Sequence, residues 1–205
     1  MKQRIDPSLP NNHHVVAGQS GSGKSTWVKR KVRKARRLLV WDPHYEYPVT
    51  RHRSLAAFVA AARQSGPLQI ALSVDPTPRN FEKFCEVAEL VISADRKTTV
   101  VVEELADVTT PSKASPAWGR LARGARKFGG TIYAITQRPQ EADKTIYTQA
   151  AYLWVGFLER PKDQKEMADR LAVSVDDVRA IKPGNYLYKG PGKAATSHKI
   201  TFPKK

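Results

Sequence analysis

Gly18-Gln19-Ser20-Gly21-Ser22-Gly23-Lys24-Ser25, followed by Thr26, has the residue types and spacing of a loop that wraps phosphate. Its glycines let the backbone turn back and aim N–H groups at phosphate oxygens, and a following helix adds the positive end of its dipole. Lys24 is expected to reach the β- and γ-phosphates of a nucleotide, and the Ser25 hydroxyl to bind Mg²⁺. In such a loop the lysine is expected to stand exposed and to contribute little to packing. Gly/Ser-rich loops also arise by chance. Here, however, His14-Val15-Val16-Ala17 reads as the end of a buried strand and Thr26 to Arg37 as a helix, the flanks that the chemistry requires.

A second group of reactive side chains follows Thr98 to Val102, a β-branched run without helical period that reads as a strand buried on both faces. It delivers Glu103 and Glu104 at its C-terminal tip. Two acids in that place beside a phosphate loop suit ATP hydrolysis, with Glu103 supporting Mg²⁺ and Glu104 polarising water; solvated turn carboxylates are the plain alternative. Gln137 ends another buried strand, Thr131 to Ile135, and so lands in the same crevice, to orient water or sense the γ-phosphate, unless it is an ordinary turn glutamine. Asp42, at the tip of the strand Leu38 to Trp41, either edges the crevice or starts a turn. The five histidines show no metal-ligand spacing.

The elements that must position these groups follow in order. Residues 1–12 carry two prolines and paired asparagines, and read as an irregular arm, available to a neighbouring subunit. After the loop, its helix and the second strand, Pro43 and Pro48 forbid a helix. Ser54 is expected to cap a helix to Gln64, and Leu68 to Val74 to form a strand. Asn80 is expected to cap a helix with Phe81, Phe84, Cys85, Ala88 and Val91 on its buried face. Pro116 opens a further helix with Trp118, Leu121, Ala122, Ala125 and Phe128 inward and Arg120, Arg123, Arg126 and Lys127 outward; Gly129-Gly130 ends it. Ala151 to Phe157 supplies a fifth core strand, Lys162 to Leu171 a charged helix, and Ser174 the cap of a short one. Tyr186 to Tyr188 is expected to pair with Lys199 to Phe202 in a C-terminal hairpin. The fold class is therefore α/β, a P-loop NTPase of the RecA-like type. It has a mainly parallel central sheet flanked by helices and a small C-terminal β-hairpin, with residues 13–205 as one ATPase domain.

A chain of 205 residues can bury about 70% of its unfolded surface without disulfides or structural metal. Cys85 is the single cysteine, which excludes an internal disulfide and a cysteine-based zinc site. No run approaches a membrane span, and the first residues lack the apolar core of a secretion signal, so a soluble protein of a reducing compartment is expected. The net charge of +16 is more than a magnesium nucleotide offsets, and it is uneven: no acid occurs from Lys24 to Arg37 or from Lys182 to Lys205. A larger polyanion, nucleic acid, is implied.

With Asp42-Pro43-His44-Tyr45-Glu46-Tyr47, the strand ending in Glu103-Glu104, and Arg126-Lys127-Phe128-Gly129 leading to Thr136-Gln137-Arg138-Pro139 in view, the chain resembles the FtsK–HerA superfamily of DNA-pumping ATPases over about residues 13 to 190. Its small size and lack of a membrane anchor are most similar to the genome-packaging ATPases of internal-membrane-containing bacterial viruses of the tectivirus and corticovirus type. The resemblance implies ATP and Mg²⁺ at Lys24 and Ser25, Glu104 as catalytic base, Gln137 as sensor, and Arg126 as a finger entering a neighbour's site, with Arg123 as the fallback. The family's first acid is commonly Asp, so the longer Glu103 is expected to reach Mg²⁺ through water. The resemblance further implies a hexameric ring around double-stranded DNA, capsid vertex proteins as partners, and a place in the host cytoplasm or at the virion's packaging vertex. The leading reading is thus a DNA translocase that packages a viral genome. A filamentous-phage assembly or secretion-type ATPase, a small-molecule phosphotransferase, and a DNA-binding virion protein that has lost hydrolysis are the alternatives.

Overall fold

A computed structural model describes residues 3–201. The strands are β1 His14–Ala17, β2 Arg37–Trp41, β3 Thr50–His52, β4 Leu68–Leu72, β5 Thr98–Val102, β6 Gly130–Thr136, β7 Tyr152–Gly156, β8 Asn185–Lys189 and β9 Thr196–Lys199. They form one sheet in the order β3-β4-β2-β5-β6-β1-β7-β8-β9. β1 to β7 are mutually parallel, and β8 and β9 continue the sheet antiparallel. The helices are α1 Lys24–Val32, α2 Leu55–Ala62, α3 Pro78–Val91, α4 Leu105–Val108, α5 Pro116–Gly124, α6 Thr145–Gln149, α7 Pro161–Leu171 and α8 Val175–Arg179. The expected P-loop α/β architecture and its C-terminal hairpin are present.

The two faces of the sheet are filled by different means. Alternation along each strand sends Leu39, Trp41, Val100, Val102 and Val155 to a core shared with Phe58 of α2, Phe81 and Phe84 of α3, Trp118 of α5 and Met167 of α7. Burying each of these aromatics contributes about 2 to 3 kcal/mol. The intervening residues Val16, Leu38, Val40 and Trp154 face the other way, where α1 is the one helix in the cluster, through Trp27, Val28 and Val32. Cross-strand aromatics complete that side. His14 on β1 is stacked between Tyr133 of β6 and Tyr152 of β7, with ring centroids 4.4 and 4.6 Å away, and Trp154 stacks on Tyr186 at 5.0 Å. Burial pushes the His13 and His14 imidazoles down to about 4, so both are neutral core groups.

Several boundaries differ from expectation. α1 stops at Val32 rather than running to Arg37, because Arg37 opens β2 and its guanidinium donates to the carbonyls of Ala62, Gln64 and Gly66 around the end of α2, at 2.6 to 3.1 Å. No Gly or Pro marks that stop. α3 is capped by Thr77, whose hydroxyl accepts from the Asn80 N–H at 3.2 Å with Pro78 at the first helical position; Asn80 is already inside the helix. The helix from Pro116 ends at Gly124, and Ala125–Phe128 continues as a 3-10 turn closed by Gly129 at φ 78°. A side chain on Gly129 would meet Ala94 Cα at 3.2 Å. The hairpin's last strand is Thr196–Lys199, not Lys199 to Phe202, and Phe202 lies outside the described residues. Residues 3–12 fold back on their own chain: Arg4 N–H donates to Ser93 Oγ at 2.8 Å, Asp6 N–H to Lys127 O at 2.7 Å, and the Asn11 amide to Gln149 O at 2.6 Å. Among the described residues no helix is long and apolar enough to cross a membrane.

Candidate active site

β1, β6 and β5 lie side by side and parallel, so their C-terminal ends open into one crevice. β1 feeds the phosphate loop, β5 ends at Glu103 and Glu104, and β6 at Gln137. These groups surround a cavity of about 460 Å³, into which Ser20, Gly21 and the run from Gly23 to Thr26 also face. The rear of the loop is fastened to the sheet. Gly18 N–H donates to Thr136 O at 3.2 Å and Gln19 N–H to Phe157 O at 2.7 Å, while the Gln19 amide donates to Glu159 Oε2 at 2.7 Å. Ser22 is buried behind the loop. Gly23 sits at φ 93° with Ile200 against it, where a Cβ would overlap the Ile200 side chain at 2.1 Å; only glycine fits there.

Lys24 is not exposed as expected: 5% of its surface is accessible, and Nζ donates to Gln19 O at 3.1 Å. Burial lowers its pKa, opposed by the nearby Glu104 and Glu103 carboxylates. The ammonium is therefore held at the loop's mouth, with acids facing it across the cavity. Glu104 adopts a left-handed backbone, φ 47° and ψ 59°, a conformation that costs a non-glycine residue about 1 kcal/mol or more. That turn points its carboxylate at Gln137: Oε1 accepts from the side-chain amide at 2.7 Å and Oε2 from the Gln137 N–H at 3.2 Å. A base and an amide able to orient water are thus brought together across two strand tips.

Glu103 is deeply buried, and desolvation raises its pKa to about 7 although the Tyr47 hydroxyl, donating at 2.8 Å, favours the charged form. Ser25 and Glu103 present hard oxygen donors to the same cavity, and among the described residues no group of three or more His, Cys, Asp or Glu could hold a metal by itself. That donor set suits Mg²⁺, which keeps several waters and binds through one or two protein oxygens plus substrate phosphates. Asp42 does not face the crevice. Fully buried, its carboxylate accepts from the N–H groups of Glu46 at 2.8 Å and Tyr47 at 3.0 Å, so the turn reading is the correct one. His44 and Glu46, which the sequence did not single out as site residues, line the cavity instead.

Arg126 lies at the other end of β6, away from the phosphate loop. Its guanidinium donates to Pro7 O at 2.8 Å and Leu9 O at 2.7 Å, and so ties down the N-terminal arm. Arg123 is exposed, one turn earlier, with no hydrogen bond or ion pair among the described residues.

Protein P9 of Pseudoalteromonas phage PM2 is 42% identical to this chain over 183 residues, 88% of the chain and 84% of that protein. The chain belongs to the family of Protein P9. The genome-packaging NTPase B204 of Sulfolobus turreted icosahedral virus 2, in complex with AMPPCP, shares this fold, with a TM-score of 0.78 at 17% identity over 95% of this chain and all of that one. The N-terminal domain of zonular occludens toxin from Neisseria meningitidis follows it less closely, with a TM-score of 0.54 at 15% identity over 96% of each chain. No protein-family model matches the sequence.

Proposed function

We propose that this FtsK–HerA ATPase packages a viral genome by ATP-driven translocation of double-stranded DNA into a preformed capsid. The observation that carries the reading is the Glu104–Gln137 pair facing Lys24 across one cavity, an arrangement for delivering water rather than a second organic substrate to a γ-phosphate. In the mechanism this geometry supports, Lys24 leaves the Gln19 carbonyl for the β- and γ-phosphates of ATP, and the loop N–H groups cradle them. Gln137 orients a water whose proton passes to Glu104 as its oxygen attacks the γ-phosphorus and the bond to the β,γ-bridging oxygen breaks, with ADP as the leaving group. Ser25 and Glu103 would hold Mg²⁺, which would neutralise charge on the phosphate oxygens.

The DNA reading is supported by charge. Arg30, Arg33, Lys34 and Arg36 are exposed after the loop and carry no ion pair among the described residues, within a chain of net charge +16. Such cations fit a phosphate backbone without sequence selection. A homo-oligomeric ring, hexameric in its family, would bring Arg123 or Arg126 to a neighbour's nucleotide. Arg123 is the freer of the two, since Arg126 must first release two arm carbonyls. Capsid vertex proteins are the expected docking partners, in the host cytoplasm or at the packaging vertex of the virion. The fold likeness to zonular occludens toxin keeps a filamentous-phage assembly ATPase as the second reading.

The test is ATP turnover with and without random-sequence duplex DNA. Stimulation by duplex is expected, with DNA affinity falling about 10³-fold or more between about 50 and 200 mM salt if roughly 6 to 10 phosphates are engaged. Turnover indifferent to DNA, or salt-insensitive binding, contradicts the proposal.

A further inference from the structure

The segment Asp42-Pro43-His44-Tyr45-Glu46-Tyr47 carries a family motif whose residues have no role in the chemistry above. Its geometry is that of a mount. The buried Asp42 carboxylate draws the backbone of Glu46 and Tyr47 onto itself, and Tyr45 takes a left-handed φ of 60° to close the turn. Arg51 fixes the outer side, with Nη2 3.7 Å from Asp42 Oδ2 and donating to Tyr47 O at 3.3 Å. Glu46, on the same turn, is ion-paired to Lys29 of α1 at 2.9 Å. The turn is therefore clamped to β2, to Arg51 just after it, and to the helix that follows the phosphate loop.

The product of this clamping is the position of one phenol. Tyr47 is 2% exposed, packed among the residues under α1, and its hydroxyl donates to Glu103 Oε1 at 2.8 Å. Glu103 Oε2 has no hydrogen bond among the described residues, and the side chain lines the cavity with Ser25. A glutamate has one more free torsion than an aspartate, and holding it still costs side-chain entropy that a fixed partner removes in advance. Glu103 is also buried, where an untethered carboxylate would have one unsatisfied oxygen more.

Resting on the reading that Ser25 and Glu103 hold Mg²⁺, we propose that Tyr47 is a positioning residue: its hydroxyl holds one oxygen of Glu103 so that the other is presented to the divalent cation. The Asp42 turn exists to hold that hydroxyl in place.

Tyr47→Phe keeps the ring in the core and removes the hydroxyl. In the full chain, binding of a fluorescent ATP analogue is titrated first in EDTA and then against Mg²⁺, with steady-state turnover measured over the same Mg²⁺ series. The expected result is unchanged affinity in EDTA, unchanged KM for ATP at saturating Mg²⁺, and a rise of about tenfold or more in the Mg²⁺ concentration giving half-maximal nucleotide binding and turnover, the size seen when partners of metal ligands are removed. In a Glu103→Gln background, Tyr47→Phe should add no further shift. A Mg²⁺ dependence within about twofold of the parent overturns the proposal, being far below the effect of a ligand's partner. If Glu103→Gln alone leaves the Mg²⁺ dependence unchanged, the metal-site reading fails, and this proposal with it. If Glu103→Gln shifts it and Tyr47→Phe does not, the positioning role alone fails. Should Tyr47→Phe not fold, Arg51→Ala loosens the Tyr47 carbonyl from outside the cavity; a shift in the same direction supports the mount, and no shift overturns it.

Discussion

At the carboxyl ends of β1, β5 and β6, Lys24, Glu103, Glu104 and Gln137 surround open space, whereas at the amino ends of β2 and β6 the cations Arg37 and Arg126 donate to main-chain carbonyls of their own chain. Both ends concentrate charge, and both lie at the margin of the same sheet. The difference is in what remains to be satisfied. Arg37 caps the end of α2 through both Nη atoms, although its buried Nε finds no acceptor among the described residues, and Arg126 pins the arm through Nη1, so each is spent on holding main chain in place. At the other end Lys24 rests on a single carbonyl, Glu103 has one oxygen held and one free, and Glu104 sits in a left-handed turn. Charge by itself does not mark a site in this molecule; charge gathered around open space does.

The comparison breaks most visibly if Arg126 is the trans finger. The account expects Arg123→Ala to lower turnover by about 10³- to 10⁵-fold with ATP binding retained, and Arg126→Ala chiefly to loosen the arm and lower the melting temperature. Loss of hydrolysis in Arg126→Ala with unchanged stability would show that its two carbonyl bonds are exchanged for a neighbour's nucleotide. Glu104→Gln should reduce turnover by about 10²- to 10⁴-fold while still binding ATP, which a nucleotide-trapping assay reads directly. Arg37→Ala sharpens the contrast from the other end. Stranding three carbonyls should cost about 3 kcal/mol, a fall of roughly 6 to 12 °C in Tm, with turnover per folded molecule unchanged.

The smallest expected effect concerns the two buried histidines, whose folded pKa of about 4 lies below the ordinary 6.5. The unfolded chain binds these protons first, so stability is fully present above 6.5 and is lost as pH falls toward 4. By pH 6 each histidine should cost about 0.8 kcal/mol, and His14→Phe, which keeps the stack, should remove one histidine's share of the slope. Urea unfolding at several pH values provides the check.

Much of this was legible in sequence because burial leaves a period. The limits of β1 and β5 and the five inward residues of α3 were read residue by residue, since β-branched runs and helical spacing have few other causes. The meeting of Glu104 with Gln137 was legible as well, because parallel strands put successive tips along one edge. Strand β3 and helices α4 and α6 were not, being three to five residues long and too short to show a period. The end of α1 carried no stop signal, and the arm's return to its own chain pairs side chains with distant main-chain groups, as Arg126 does with the Pro7 and Leu9 carbonyls, partners that residue types do not announce. Tyr47 stands in sequence in a proline-bounded loop with no role of its own; the Glu103 carboxylate at its hydroxyl is what distinguishes it. Lys24 was expected exposed because it lies in a loop, but its side chain folds back onto the Gln19 carbonyl and is buried there.

The central claim is that ATP hydrolysis at this site moves double-stranded DNA. Displacement of a third strand annealed to one end of a linear duplex measures that movement directly. The account predicts displacement with Mg²⁺ and ATP, none with AMPPCP, and none from Glu104→Gln protein that still binds both nucleotide and duplex. Vigorous ATP turnover on the same duplex without displacement, or displacement undiminished by Glu104→Gln, would contradict it.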